Sequence, residues 1–384
     1  MNRQIFNCLQ VGLCFIVAAS FTACKQGKGH TLTSATGSVY ECLVVMQNTP
    51  LTQSERDEVG KYALQDKASG YTEPIATTYD LVSAVMAASM PCMPQVEPYF
   101  KLTQVTPAAF DDMFKPTRNI LFVDIDAGRY TQTKAKISTN YWSKPQAVYR
   151  IQTPSQEEFV TFWLAHGTEV REWFVRQEIE RQIRFYRANT NKDARAILTR
   201  DMHCDMLIPE DFMVIMDTTL TIDDSKESAG NRHADSSVKL LWCCNGKGSM
   251  RRDIVVYNYP YTDPNTFTAD FLNRQRDNVL SRVITATVEG SYMGTEYKVM
   301  PPQMREISVQ NGQYAAEVYG LWKMLGGESM GGPYASLTRL DPVTGHITTA
   351  EAFLFAPGQK KRTALRQMEA ILYTLQFPTD TIRH

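Results

Sequence analysis

The sequence predicts an α+β fold, with mainly antiparallel sheets flanked by long amphipathic helices. Strand-like segments follow one another in runs, most clearly between residues 298 and 355, and do not alternate strictly with helices. Two long helical patterns each follow a strand and a proline, at Thr153-Pro154 and at Ala356-Pro357. This repeated ending raises the hypothesis that the chain contains two related halves that arose by divergent duplication.

The first 23 residues have the pattern of a secretory signal. Arg3 is the only charge, an apolar stretch follows from Val11 to Ala19, and small residues precede Cys24. The apolar stretch is too short to span a hydrocarbon core of ~30 Å as a helix. Small residues before a cysteine resemble the bacterial lipobox, although Phe21 stands where that pattern prefers leucine. We therefore expect cleavage before Cys24 and lipid on its thiol. The alternatives are a plain signal peptide cut nearby and a buried apolar strand.

The segment after Cys24 is rich in Gly, Ser and Thr and predicts a flexible tether. One acyl chain binds a membrane only marginally, whereas two or more hold firmly, so lipid of this type on Cys24 predicts firm anchoring in a lipid bilayer. The resulting division is a signal peptide at 1–23, the lipidated cysteine and tether at 24–38, an N-terminal α+β half at 39–190 and a C-terminal α+β half at 205–378.

In the N-terminal half, periodicity predicts strands at 39–46, 119–125, 134–138 and 146–151. Helices are expected from Ser54 and over 79–88. Ser155 to Glu158 fits a capping box that opens a third helix. Its apolar stripe continues to residue 186, Gly167 is expected to break or bend it, and its Arg and Glu residues are expected on a solvated face.

In the C-terminal half, the polar segment 189–205 marks the boundary, and a short strand is expected at 213–216. Asn245-Gly246 predicts a hairpin between strands at 238–244 and 254–259. An amphipathic helix is expected at 267–280. Further strands are expected at 298–309, 314–322, 334–340 and 347–355, and a closing helix carries its apolar face from Ala364 to Leu375.

Composition argues against several kinds of site. The chain has 40 Lys and Arg against 41 Asp and Glu without a cluster of either sign, so nucleic acid is not an expected partner. The six histidines have no HxxxH spacing, so we predict no metal and no cofactor. Besides Cys24 the expected mature chain has an odd number of cysteines, so at least one thiol is unpaired or bonds another chain. Cys243 and Cys244 are expected on opposite faces of a strand, in preference to a vicinal disulfide. The five cysteines of the expected mature chain, apart from Cys24, are Cys42, Cys92, Cys204, Cys243 and Cys244.

One motif points toward hydrolase chemistry. Gly327 to Gly331 matches G-x-S-x-G around Ser329, and Asp341 and His346 follow in the order of an α/β-hydrolase. That motif requires a strand before the serine and a helix after it. A strand-like segment follows here, and the paired glycines favour a loop between sheet strands. The sequence therefore favours a protein without catalytic residues, with a hydrolase acting on envelope material as the alternative.

A second group of polar and aromatic residues lies beside prolines or at strand starts, where side chains can converge on a ligand groove. The simpler interpretation, which we prefer, is that they cap strands and form an internal Glu–Arg pair. The group comprises Gln95, Glu97, Arg118, Asn119, Trp142, Lys144 and Gln146.

Several segments between Glu41 and Leu375 carry a family resemblance. They include Pro94 to Pro98, Arg118 to Leu121, Trp142 to Gln146, Arg276-Asp277, Gly290 to Met293, Gly320 to Trp322, Met330 to Pro333, Lys361-Arg362 and Leu365 to Leu372. Together they resemble a domain-of-unknown-function family of lipoproteins from Bacteroidetes. The resemblance implies an envelope location. It gives no catalytic residues to carry over, because no activity is established for the family. In such bacteria, surface export resembles a rule that requires acidic residues after the lipidated cysteine, and Lys25 to Lys28 contains none. We therefore expect an outer-membrane lipoprotein that faces the periplasm and binds an envelope protein, a glycan or a small ligand. The alternatives are display at the cell surface and a purely structural role.

Overall fold

The computed structural model describes residues 32–65, 75–222, 236–246, 248–309, 312–327 and 329–381. The predicted signal peptide and Cys24 lie outside these residues. The described part of the N-terminal half begins with a short strand and ends in one long helix. Its elements are β1 (Thr33–Ser34), β2 (Glu41–Met46), α1 (Gln53–Gln65), α2 (Thr78–Met86), β3 (Lys101–Val105), β4 (Asn119–Ile125), β5 (Lys134–Thr139), β6 (Ser143–Lys144), β7 (Ala147–Thr153) and α3 (Gln156–Ala188).

Five of these strands form one sheet in the order β3-β2-β4-β7-β5. Its pairings are parallel, except that β5 runs antiparallel to β7. The prediction of mainly antiparallel sheets is therefore wrong for this half. The physical reason lies in the connections, because α1 and α2 between β2 and β3 form a crossover long enough to bring the chain back in the same direction.

Helix α3 covers one face of this sheet. Ser155 caps its first turn by accepting a hydrogen bond from the Glu158 amide at 3.2 Å. The expected break at Gly167 does not occur, because the helix continues through it to Ala188. A Cβ at Gly167 would lie 3.0 Å from the ring of Trp163. The absence of a side chain at Gly167 therefore leaves room for the buried indole of Trp163, one turn earlier on the surface of the helix.

The C-terminal half contains one large antiparallel sheet in the order β11-β13-β14-β15-β10-β9-β8, with β12 also paired to β13. The antiparallel prediction is confirmed here, including the hairpin of the strands on either side of Asn245-Gly246. The elements are α4 (Lys192–Asp201), β8 (Met213–Ile222), β9 (Ser236–Asn245), β10 (Arg251–Pro260), α5 (Ala269–Val283), β11 (Tyr292–Thr295), β12 (Gln303–Ser308), β13 (Tyr314–Leu325), β14 (Gly331–Asp341), β15 (His346–Phe355) and α6 (Arg362–Leu372).

The two halves have different topologies, one largely parallel and one antiparallel, which contradicts the hypothesis of a divergent duplication. Among the helices of the described residues, α3 with 33 residues is the only long one, and the closing helix α6 has 11. A continuous apolar core extends from β2 and α3 to β15 and α6. The Tyr186 hydroxyl on α3 also donates to the Gln367 carbonyl on α6 at 3.1 Å. Residues from Thr33 onward accordingly form one compact unit.

Candidate functional site

Two residues of the predicted groove, Arg118 and Asn119, belong to a hydrogen-bond network at the start of β4. Glu178 on α3 accepts two hydrogen bonds from the Arg118 guanidinium, at 2.9 and 2.6 Å. It accepts a third from the side-chain amide of Asn119, at 2.6 Å. Arg181 donates to Glu178 at 2.9 Å and to the Asn119 side-chain oxygen at 2.8 Å. The Glu178 side chain is only 2% exposed. This network joins the long helix to the edge where the parallel strands begin.

Glu97 has a different partner. It is buried at the end of the proline-rich segment, and its carboxylate accepts hydrogen bonds from the backbone amides of Lys361 at 2.7 Å and Arg362 at 3.0 Å. These amides open α6, where the helix has unsatisfied donors and a partial positive charge. Glu97 thus caps a helix that follows it by more than 260 positions, and no Lys361 side-chain cap is formed.

Replacing Glu97 with alanine is expected to lower the free energy of unfolding by about 1–2 kcal/mol, because two buried amides lose their acceptor. Urea unfolding followed by circular dichroism measures the change. Gln95 is exposed two positions earlier and provides a matched control. Equal effects of Glu97→Ala and Gln95→Ala would argue against the capping role.

The remaining groove candidates lie in the turn between β5 and β7. Gln146 is 1% exposed, and its side chain donates to the carbonyls of Lys115 at 2.6 Å and Thr117 at 2.8 Å and accepts from the Trp142 amide at 2.9 Å. The Trp142 ring packs against Phe110 and Phe122 on the sheet face opposite α3. The exposed Lys144 belongs to β6.

The seven groove candidates therefore do not share one cleft. Six of them belong to three different local structures, in which the polar atoms of Glu97, Asn119 and Gln146 bond to the protein itself, and Gln95 is exposed. Arg118 and Asn119 meet Glu178, Glu97 meets α6, and Gln146 holds a turn. The Glu–Arg pair expected within this group does not form, because Arg118 pairs with Glu178 of α3 and Glu97 accepts from backbone amides. The sequence analysis had placed the Arg and Glu residues of α3 on a solvated face, and Glu178 and Arg181 depart from that expectation.

The serine motif is not assembled into a triad. Ser329 is exposed just before β14, whereas Asp341 is the last residue of that strand. At ~3.3 Å per residue the strand separates them by about 30 Å. Asp341 instead accepts a hydrogen bond of 2.6 Å from His203, and the His346 ring contacts the Thr344 carbonyl at 3.0 Å.

An almost fully buried ion pair lies between α5 and the antiparallel sheet. Arg276 donates from Nε and Nη2 to the two carboxylate oxygens of Glu351 at 2.8 and 2.7 Å, and these side chains are 2% and 0% exposed. The guanidinium lies 4.0 Å from the centroid of the Tyr334 ring, whose hydroxyl donates to Asn273 at 2.9 Å. A third donor, Nη1, reaches the Thr295 hydroxyl at 2.9 Å.

Burial raises the pKa of the Glu351 carboxyl, and the Arg276 charge opposes this rise. For Arg276, burial would lower the pKa, but Glu351 more than offsets it and the net pKa is raised. Each side chain therefore stabilises the charged form of the other, against the effect of burial. Both oxygens of Glu351 are occupied by one guanidinium, which suits packing of the helix on the sheet better than proton transfer to a substrate.

Two further ion pairs, one within α6 and one in the adjoining sheet, bring two buried carboxylates near each other. Glu369 accepts from Arg366 at 2.7 Å, and Glu317 accepts from Arg305 and, at 2.5 Å, from the Tyr373 hydroxyl. Burial raises the pKa of the Glu369 carboxyl, with Arg366 opposing and Glu317 adding to the rise. Both glutamates are 0–1% exposed, so a substrate has no access to them in this conformation.

The five cysteines of the described body are buried and form no disulfide with one another. Burial raises the pKa of each thiol, to about 11 for Cys92 and Cys244. Cys243 packs into the large core and Cys244 faces the other side near Asp253, as expected from strand alternation. Within the described ranges, no group of three or more His, Cys, Asp or Glu is arranged to hold a metal ion. Nor is any described helix long and apolar enough to cross a bilayer.

The last part of the predicted tether is fixed on the body. Strand β1 runs parallel to β6, with Thr33 opposite Ser143. The amide of Ala35 donates to the Lys144 carbonyl at 3.1 Å, and the amide of Thr36 donates to the Pro116 carbonyl at 2.9 Å. The segment expected to be flexible up to residue 38 is thus held from Thr33 onward.

Comparison with known families gives two matches. Residues 190–374 match the model of a family described as a domain of unknown function (DUF4837), and residues 76–187 match a second one (DUF8532). These matches support an uncharacterised family. The matched regions meet between the end of α3 and the start of α4. No curated protein matches the chain. Neither family description names an activity, a ligand or a cofactor.

Four buried charged residues were not among the candidates from the sequence: Glu178, Arg181, Arg276 and Glu351. For the first three, the helical spacing indicates a position on a buried face. In α3, Glu178 and Arg181 continue the buried series of Val170 and Phe174, and in α5, Arg276 falls between Leu272 and Val279. A charge at an apolar-face position indicates a buried partner. The partner itself, Glu351 in a strand, could not be assigned from spacing.

Proposed function

We propose that the protein is an outer-membrane lipoprotein facing the periplasm, in the lipoprotein family of Bacteroidetes that it resembles. Its acylated Cys24 holds an α+β body at the bilayer surface, where the body acts as a non-catalytic binding or assembly module. The observation that carries this proposal is the signal and lipobox-like pattern ending at Cys24. The short distance in sequence from Cys24 to β1 supports it, because an anchor so close to the fold keeps the body near the membrane.

Replacing Cys24 with alanine tests the anchor. The variant is expected to move from the membrane fraction to the soluble periplasmic fraction, because the acyl chains that supply about 0.8 kcal/mol per buried CH₂ are lost. Immunoblotting of separated fractions measures the change. Cys42→Ala, at a buried position of the folded body, provides a control that should stay in the membrane fraction. A Cys24→Ala protein that remained fully membrane-bound would contradict the proposal.

The non-catalytic part rests on how the charged side chains are used. Glu178, Glu317 and Glu351 are each held by arginine, and Ser329 is far from Asp341. An envelope protein, a glycan or a small ligand remains the proposed partner, and nucleic acid is not proposed. A hydrolase that uses Ser329 would need a base other than Asp341 or His346, because these two lie at the far end of β14 from Ser329. Labelling of Ser329 by a fluorophosphonate, with loss of activity in Ser329→Ala, would favour the hydrolase.

A further inference from the structure

Where β1 joins the body, a row of aromatic rings reaches the protein surface. Tyr141 contacts Trp142 with ring centroids 4.5 Å apart, Trp142 contacts Phe110 at 5.7 Å, and Phe110 stacks on Phe114 at 6.4 Å. Since Tyr141 and Trp142 immediately precede β6, they lie where the chain arriving from Cys24 meets the sheet. We call this region the anchor-side surface, defined as Phe110, Met113, Phe114, Tyr141, Trp142 and Lys144.

The anchor-side surface has the composition of a membrane interface. Met113 is 73% exposed and Tyr141 is 61% exposed, while the other rings are half-buried beneath them. Lys144 is exposed beside them, and Lys115 pairs with Asp112 at 2.5 Å. Tyrosine and tryptophan favour the headgroup level of a bilayer, and a lysine can lay its apolar stem there while its ammonium stays in water.

The chain length decides what can cover this surface. Nine residue steps separate Cys24 from Thr33, and a fully extended chain covers at most about 30 Å over that length. A compact body of about 350 residues measures about 50 Å across. An acylated Cys24 therefore cannot reach a bilayer lying on the far side of the body from β1. The side of the body that carries β1 has to stay close to the membrane.

We infer that the anchor-side surface lies against the phospholipid headgroups of the bilayer that holds Cys24, so that the body has a preferred orientation on the membrane. This inference rests on the proposed lipidation. The anchor supplies the affinity, and the surface fixes which side of the body faces the lipid.

Site-directed spin labelling of the acylated full-length protein tests the orientation. The native body thiols are buried with raised pKa values, so a new surface cysteine is the one that reacts. Nitroxides are placed through Tyr141→Cys and, separately, Met113→Cys, with Val343→Cys as control because Val343 is 64% exposed in the turn between β14 and β15. The protein is reconstituted in vesicles of phosphatidylethanolamine and phosphatidylglycerol. Accessibility to an aqueous nickel relaxant is compared with that of the same protein in solution, after proteolysis has removed residues 24–32 with the lipid on Cys24.

The inference predicts that vesicle binding lowers nickel accessibility severalfold at residues 141 and 113 and leaves residue 343 unchanged. Equal accessibility at all three positions in vesicles would overturn it, as would protection of residue 343 alone. Protection of residue 141 in native envelopes but not in vesicles would also overturn it, because the surface would then be covered by a protein. The mass of the N-terminal peptide separates the two proposals. An acylated protein in which residue 141 stays exposed would contradict only the proposed orientation. A protein without acyl chains would contradict both the proposed anchor and the proposed orientation.

Discussion

Replacing Arg276 with methionine is expected to lower the free energy of unfolding by about 3–5 kcal/mol, because Glu351 is left as a buried charge without its partner. Glu351 is 0% exposed, and both of its oxygens accept from Arg276. Methionine fills much of the same volume, so the loss reports mainly on the charge. Urea unfolding monitored by circular dichroism measures it.

Two further variants sharpen this test. Removing both charges, as Arg276→Met with Glu351→Leu, is expected to recover most of the loss, because apolar replacement of a buried pair is often neutral or stabilising. Arg274 lies on the same helix but is 63% exposed and pairs with an exposed Asp270 at 3.2 Å. Arg274→Met is therefore expected to change stability by no more than about 0.5 kcal/mol. Similar losses at positions 274 and 276 would contradict the role assigned to the buried pair.

Glu178→Ala is expected to cost about 3–5 kcal/mol, because two arginines lose the carboxylate that compensates them. Arg181 is the more sensitive of the two, since its side chain is 6% exposed and burial lowers its pKa despite the favourable charge of Glu178. The loss should appear as a lower urea midpoint with an unchanged slope, which indicates a change in stability without a change in compactness.

Glu169 provides the matched control on the same helix. Its side chain is 76% exposed and contacts His166 at 3.0 Å. Glu169→Ala is expected to be nearly neutral, within about 0.5 kcal/mol. If Glu178→Ala were as mild as Glu169→Ala, the network at the start of β4 would not hold the long helix to the sheet.

The sequence predicted individual elements of the fold better than their arrangement. Strand β4 was expected at 119–125 and is found there, because four consecutive apolar residues follow Asn119. The same run also indicates a parallel strand, because continuous apolar strands are typical of parallel sheets that are buried on both faces. Strand β3 was missed because its side chains, from Lys101 to Val105, are mostly polar or half-exposed. Strand direction depends on the connections, which local periodicity does not specify.

For the candidate site too, the sequence predicted individual residues better than their partners. Glu97, Arg118 and Gln146 were singled out for lying beside prolines or at strand starts, and all three make structural hydrogen bonds. Their partners are distant in sequence, as Glu97 with Arg362 illustrates, and only tertiary packing brings them together. Of the anchor-side surface, the sequence singled out Trp142 and Lys144. It did not indicate their position near Phe110 and beside β1, which depends on tertiary packing.

The central claim is the lipid on Cys24, and the mass of the mature N-terminal peptide tests it most directly. The protein is purified from native membranes with detergent, digested, and its first peptide is measured by mass spectrometry. Lipidation predicts that Cys24 is the first residue and carries a diacylglyceryl group on its thiol, with a further acyl chain on its amine. An N-terminal peptide that begins elsewhere, or that begins at Cys24 with an unmodified thiol and amine, would contradict it.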